Sequence, residues 1–235
     1  MHHAFILAGG LGTRLRPYTT ILPKPLIPLG DRSIVERVLV GVRDAGVTRA
    51  TVSLGYLGHL VEAVLGDGRA LGLEITYTRE PEPLGTAGAL SLIRDDVSDD
   101  DIVLVINGDT FTTLDFGHLL SWFDTTSADA AMVCVQRDVT IDYGVVDIDP
   151  SGRLIGIREK PHLQHTVSTG INLLRGSTLR TLDGGRIDMP VFLTGLQEAG
   201  RTVLCRVVDD LWMDLGRQED LAAANDLIHA EGFPL

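Results

Sequence analysis

The sequence predicts an α/β fold, a mostly parallel sheet flanked by helices with a smaller mixed β region in its second half. Three observations carry that expectation. Short apolar runs alternate with helical patterns through residues 1–136, which is how a parallel sheet with helices on both faces is written. One run, Ile102–Ile106, is apolar at every position, as a strand covered on both faces must be. Past residue 137 the pattern changes to short strands separated by turn signals such as Asp149-Pro150-Ser151-Gly152.

Taken in order, Ala4–Ala8 reads as a buried strand and Ser33–Ala45 as a helix. Ser33 and Glu36 have capping-box spacing, and Gly46 supplies a C-terminal stop. Ala50–Leu54 and Glu74–Thr78 are strand-like, with Leu57–Leu65 helical between them. Thr86–Ile93 and Phe116–Asp124 read as helices on either side of Ile102–Ile106, and Ala130–Gln136 as a strand. In the second half, Gly144–Ile148, Leu154–Ile157 and Thr169–Leu174 are short strands. Asp188-Met189-Pro190 has an N-cap followed by a proline inside a helix start. Thr202–Val207 returns to strand and Arg217–His229 closes with a helix. No linker, repeat or low-complexity tract separates the parts. The expectation is therefore one Rossmann-like domain over residues 1–235, with a nucleotide-binding half (1–136) and a sugar-binding half (137–235).

Composition narrows the function. The net charge of −12 disfavours nucleic acid and anionic lipid as partners. A polyanionic small molecule would then need a local cationic pocket, so individual cations become informative. All but two of the 20 basic residues are Arg, and the two lysines, Lys24 and Lys160, each precede a proline. A compact ammonium at both places is one reading; chance under a composition bias is the other. Cys134 and Cys205 sit in apolar runs and suit buried free thiols in a reducing compartment. The chain shows no signal-peptide pattern and no run of about 18 apolar residues, so a cytoplasmic, membrane-free protein is expected.

The strongest motif follows the first strand: Ala8-Gly9-Gly10-Leu11-Gly12-Thr13-Arg14-Leu15-Arg16-Pro17. Glycines there let backbone N–H groups approach a phosphate, and Arg14 and Arg16 add forked donors. A dinucleotide fingerprint is excluded because Leu15 stands where its third glycine belongs, and a P-loop because no lysine follows. With Pro23-Lys24-Pro25, the string resembles the signature of the sugar-1-phosphate nucleotidyltransferases, and the resemblance runs to the C-terminal helix. It is most like a free-standing catalytic domain of the small guanylyltransferases for mannose-type or heptose 1-phosphates.

The resemblance implies a reaction between a nucleoside triphosphate and a sugar 1-phosphate, giving a nucleotide-sugar and pyrophosphate. It implies catalytic roles for Arg14 on the triphosphate, Lys24 on phosphate at the reacting centre, and Asp109 of Asn107-Gly108-Asp109. Asp109 and Asp214, the latter in Trp212-Met213-Asp214-Leu215-Gly216, would hold Mg²⁺. Nucleotide binding would fall to Leu7, Gly9, Gly10, Gly12, Thr13, Glu80, Gly85, Thr86 and Gly88. Gly144, Glu159, Lys160 and Asn172 would take the sugar phosphate. Glu80 replaces a glutamine common in thymidylyl-type relatives; an acceptor-only carboxylate suits the donor pair of guanine, so GTP is favoured over UTP or dTTP. Relatives of this kind are often dimers or tetramers, so a homo-oligomer is compatible with the resemblance. Two rivals are a non-catalytic nucleotide-sugar sensor and a glycosyltransferase with a similar sheet. Retention of the charged residues argues against the first. The absence of Asp-x-Asp at the strand end argues against the second.

Overall fold

The computed structural model describes residues 1–231. Strand β1 (His2–Ala8) buries Ala4, Phe5 and Ile6 completely and lies inside the sheet between β6 and β4. A glycine loop with three 3₁₀ turns, at Thr13–Leu15, Tyr18–Thr20 and Lys24–Leu26, leads to the small pair β2 (Pro28–Leu29) and β3 (Arg32–Ser33). Helix α1 (Ile34–Asp44) begins at a full capping box: Glu36 N–H donates to Ser33 Oγ at 3.4 Å, and Ser33 N–H donates to Glu36 Oε2 at 2.8 Å. Its buried positions Val35, Val38, Leu39 and Val42 recur at helical spacing and lie on the sheet. Then come β4 (Arg49–Leu54), α2 (Gly58–Leu65), β5 (Glu74–Arg79), α3 (Gly85–Gly88), β6 (Ile102–Asn107), β7 (Thr110–Thr112) and α4 (Phe116–Asp124). The second half contains β8 (Ala130–Thr140), β9 (Val145–Ile148), β10 (Leu154–Arg158), β11 (His162–Arg175), α5 (Gly176–Leu179), α6 (Met189–Glu198), β12 (Val203–Val208), β13 (Trp212–Asp214) and α7 (Gln218–Glu231).

Seven strands form the central sheet in the order β12-β8-β11-β6-β1-β4-β5. All run parallel except β11, which is antiparallel to both β6 and β8. One face packs on α1, α2 and α4 through residues such as Val38, Val61, Leu104 and Phe123. The other packs on the segment after α3, α5 and α6 through Phe5, Leu90, Val105, Leu179 and Phe192. A third, smaller cluster joins Leu15, Ile27, Ile34, Phe111 and Leu215 to α7. From β1 the chain moves outward to β4 and β5, then returns to β6 on β1's other side. The crevice beyond the carboxyl ends of β1 and β6 is thus the topological switch point, where open α/β sheets bind ligands.

The mostly parallel, helix-flanked sheet agrees with the sequence reading; several elements do not. In the second half β8, β11 and β12 enter the main sheet, while β9 pairs with β10 and β13 with β7 outside it. The expected short strands 130–136 and 169–174 are the inner ends of an 11-residue and a 14-residue strand that extend together as an antiparallel ribbon. Thr86–Ile93 is α-helical only through Gly88 and continues as a 3₁₀ turn over Ala89–Ile93.

Candidate active site

The loop after β1 is held in place by close backbone packing. Gly12 has φ 59°, and a Cβ there would lie 2.8 Å from Thr19 Cγ2 and 3.1 Å from Lys24 Cβ. Only glycine combines that left-handed backbone with that contact. Thr19 Oγ1 donates to Gly12 O at 2.8 Å and ties the loop to the following turn. Gly55, just past β4, lies so close to Gly9 that any side chain there would meet the Gly9 carbonyl. At the end of β6, Gly108 N–H donates to Leu7 O at 2.9 Å, which seats Asp109 beside the loop.

Asp109 and Asp214 are 105 residues apart in sequence and meet through a three-residue ladder. β7 pairs antiparallel with β13, placing Asp214 opposite Thr110, and Leu215 N–H donates to Asp109 O at 3.0 Å. Between the two carboxylates sits Lys24. Its Nζ donates to Asp109 Oδ2 and lies 3.9 Å from Asp214 Oδ1, with its side chain 9% exposed. A buried ammonium requires such partners. Arg14 approaches from the solvent side, with Nη2 4.0 Å from Asp214 Oδ2. Burial, then the nearby Asp109 charge, raises the Asp214 carboxyl above its ordinary value, and Lys24 and Arg14 partly offset this.

Asp109 and Asp214 fit a hard divalent cation: both are carboxylates and both already converge on one positive group. No cluster of three or more His, Cys, Asp or Glu with metal-holding geometry occurs among the described residues. Two carboxylates therefore suit an ion such as Mg²⁺, which commonly completes its shell with substrate phosphate and water.

A cavity of about 490 Å³ opens at this point, lined by Leu7, Arg14, Thr86, Asn107, Asp109, Met132, Ser168, Thr169, Asn172, Met189, Trp212 and Asp214, among others. Five expected residues, Leu7, Arg14, Thr86, Asp109 and Asp214, reach it together with the sugar candidate Asn172. Glu80 sits at the end of β5 with both oxygens engaged. Oε1 accepts from Ser53 Oγ at 3.1 Å and Oε2 from Leu84 N–H at 2.7 Å. Gly85 and Gly88 are close-packing glycines: a Cβ on either would stand 2.6 Å from the carbonyl of Ile187 or Gly185, respectively. Thr86 Oγ1 accepts from Met189 N–H at 2.7 Å and docks α6 at the cavity. Gly144, Glu159 and Lys160 lie on or beside the β9–β10 hairpin and do not line this cavity. Gly9, Gly10, Gly12, Thr13 and Lys24 on the loop side, and Glu80, Gly85 and Gly88, are not part of its lining either.

Sequence reasoning missed Asn107, Met132, Ser168, Thr169, Met189 and the indole of Trp212 as cavity walls. Asn107 and Trp212 stood within recognised motifs, next to the carboxylates. Nothing in the local pattern of Ser168-Thr169 pointed to the site.

Comparison with known proteins identifies the family and the fold. The model of the nucleotidyl transferase family matches residues 3–231. The low-salt glycan biosynthesis nucleotidyltransferase of Haloferax volcanii is 30% identical over 232 residues, covering 95% of this chain and 65% of the relative. A mannose-1-phosphate guanylyltransferase described as probable in Oryza sativa subsp. japonica is 32% identical over 225 residues, covering 92% of this chain and 62% of the relative. The chain thus spans slightly less than two thirds of the curated relatives it matches. A crystal structure from Bacillus anthracis, in complex with a sucrose and named as a glucose-1-phosphate thymidylyltransferase by inference only, superposes with a TM-score of 0.81 at 25% identity. It covers 100% of this chain and 98% of its own.

Proposed function

The chain belongs to the nucleotidyl transferase family, and we propose that it condenses a nucleoside triphosphate with a sugar 1-phosphate, releasing pyrophosphate. The observation that carries this is the convergence of Lys24 on Asp109 and Asp214, two carboxylates that line a cavity of about 490 Å³ together with Arg14. The preferred substrates are GTP and a mannose-type or heptose 1-phosphate, a choice supported by the guanylyltransferase relative. Residues 1–136 and 137–235 work as one catalytic unit in this reading, since Asp109 from one half and Asp214 from the other share Lys24.

The attacking sugar phosphate is already ionised at neutral pH, so no general base is needed. The protein's work is positioning and charge neutralisation. Lys24, held at a fixed point by its two carboxylates and flanking prolines, presents an ammonium to the phosphate oxygens. Arg14 faces solvent at the cavity rim, where it can follow the charge that builds on departing pyrophosphate. Glu159 would hold sugar hydroxyls and Lys160 the sugar phosphate, from the end of β10 outside the cavity lining. Asp109 and Asp214 would hold Mg²⁺, which when bound supplies charge neutralisation at the reacting phosphate.

Of the two thiols expected to be buried, Cys134 is buried and Cys205 on β12 is exposed; both are free, which supports a cytoplasmic setting. No helix among the described residues is long and apolar enough to cross a membrane. The test is pyrophosphate release with Mg²⁺ across GTP, UTP, dTTP, ATP and CTP against mannose, glucose and heptose 1-phosphates. Release that requires both substrates supports the reading; release without a sugar 1-phosphate, or none with any pair, overturns it.

A further inference from the structure

The apolar face of helix α7 is turned to the loop region of the site rather than to the main sheet. Its buried residues Leu221, Ala224 and Ile228 recur at helical spacing. Among the described residues they join neither of the two cores on the sheet. They belong to the third cluster, with Leu15, Ile27 and Leu29 from the segment between β1 and α1 and with Ile34, Phe111 and Leu215. Leu15 is fully buried there, although its neighbours Arg14 and Arg16 are exposed. One apolar side chain thus anchors the loop at the point where Arg14 stands.

Two polar side chains of α7 complete the grip. Gln218 Nε2 donates to the Arg16 carbonyl at 3.0 Å, and Asn225 Oδ1 accepts from Gly30 N–H at 2.8 Å. Asn225 Nδ2 donates to Leu221 O at 2.9 Å, which turns the amide's oxygen toward Gly30. Gly30 also lies close against the helix, since a Cβ on it would stand 3.1 Å from Ile228 Cγ2. The two hydrogen bonds take hold on either side of Lys24 in the chain. Between them the backbone runs through the 3₁₀ turns Tyr18–Thr20 and Lys24–Leu26, with Tyr18 and Ile21 standing exposed. Short 3₁₀ turns have poor hydrogen-bond geometry and little cooperativity of their own. The position of such a stretch depends on what holds its ends.

We propose that Gln218 and Asn225 are positioning residues, through which α7 clamps the loop so that Arg14 and the glycine backbone are in place before the triphosphate arrives. This rests on the triphosphate and sugar 1-phosphate reading above. A loop fixed beforehand does not have to be ordered at the expense of binding. Lys24 keeps its own two carboxylates when the clamp is loosened. The loss therefore falls first on Arg14 and the glycine backbone, and so on the triphosphate rather than on the sugar 1-phosphate.

The test compares the full chain as wild type, Gln218→Met, Asn225→Leu and the double variant. Methionine and leucine are close in size to the side chains they replace, lack the hydrogen bonds and favour helix, so α7 itself persists. Each lost hydrogen bond is worth roughly a two- to tenfold change, so the double variant should raise the KM of the fastest-reacting triphosphate roughly tenfold. The KM of the sugar 1-phosphate should stay within about twofold of wild type. Hydrogen exchange read by mass spectrometry, without nucleotide, should show residues 11–22 exchanging faster in the double variant while β1, β4 and β6 exchange as in wild type. Both changes are required. A folded double variant that lacks either one overturns the inference and leaves the reaction standing. So does an equal rise in both KM values, or a lower maximal rate with both KM values intact, which is what a smaller folded fraction gives. If melting shows the double variant unfolded, the single variants decide by the same two readouts. No pyrophosphate from wild type with any triphosphate and sugar pair overturns the reaction and this inference together.

Discussion

Lys24 shows how one residue's surroundings convert a common side chain into a specific tool. An exposed lysine in a turn is a mobile, hydrated charge. Here the ammonium is buried and shared between Asp109 and Asp214. Arg14 is seated differently. Gly216 leaves the space it needs, because a Cβ there would lie 3.0–3.1 Å from three atoms of the guanidinium. Gly216→Ala is therefore expected to shift the Arg14 guanidinium by a few tenths of an ångström while the fold survives. Steady-state kinetics should show kcat/KM reduced by about two- to tenfold, less than for outright loss of a charge-stabilising donor. Unchanged kinetics would mean that Arg14 does not act from this seat.

Among elements, the shortest pairing matters most for the site. β7 and β13 contribute three residues each, yet their register sets the spacing of the two carboxylates. In the main sheet a polar ladder crosses three strands: His3 Nε2 lies 2.9 Å from Thr51 Oγ1, which lies 2.8 Å from Thr76 Oγ1. His3 is 6% exposed, and burial, reinforced by Arg49, lowers its pKa from 6.5 to about 4. The folded protein thus holds His3 neutral where the unfolded chain would take up a proton. Stability from this group is intact above about pH 6.5 and falls as pH drops toward 4. Urea denaturation of wild type and His3→Gln at pH 7 and 4.5 should show the wild type losing about 2–3 kcal/mol more on acidification. Equal losses would show that His3 is not held neutral by the fold.

At the scale of the whole molecule, the site stands at the switch point between β1 and β6, where chain direction rather than local sequence decides what meets. That explains how much the sequence revealed. Strands such as Ile102–Ile106 were legible because burial on both faces leaves only apolar residues, and α1 because its capping box is local. The β8–β11 ribbon was not, because its outer residues from Gln136 to Thr140 and from His162 to Thr166 are largely exposed and carry no apolar alternation. β7 and β13 were too short to show a period. The separate positions of Asp109, Lys24 and Asp214 were readable from motifs, but their shared geometry depends on a ladder between strands about a hundred residues apart. The close packing behind Gly85 and Gly88 was hidden for the same reason, since their partners lie at 185–187.

The most direct measurement of whether this cluster is the reacting centre is Mg²⁺-dependent pyrophosphate release by wild type and Asp109→Asn, side by side, with the fold of both checked by melting. The substitution keeps the side chain's size and removes its charge. The expected result is release by wild type only when both substrates are present, and a rate lower by roughly 10²–10³-fold in a folded Asp109→Asn. A folded Asp109→Asn that matches wild type would show that the chemistry happens elsewhere.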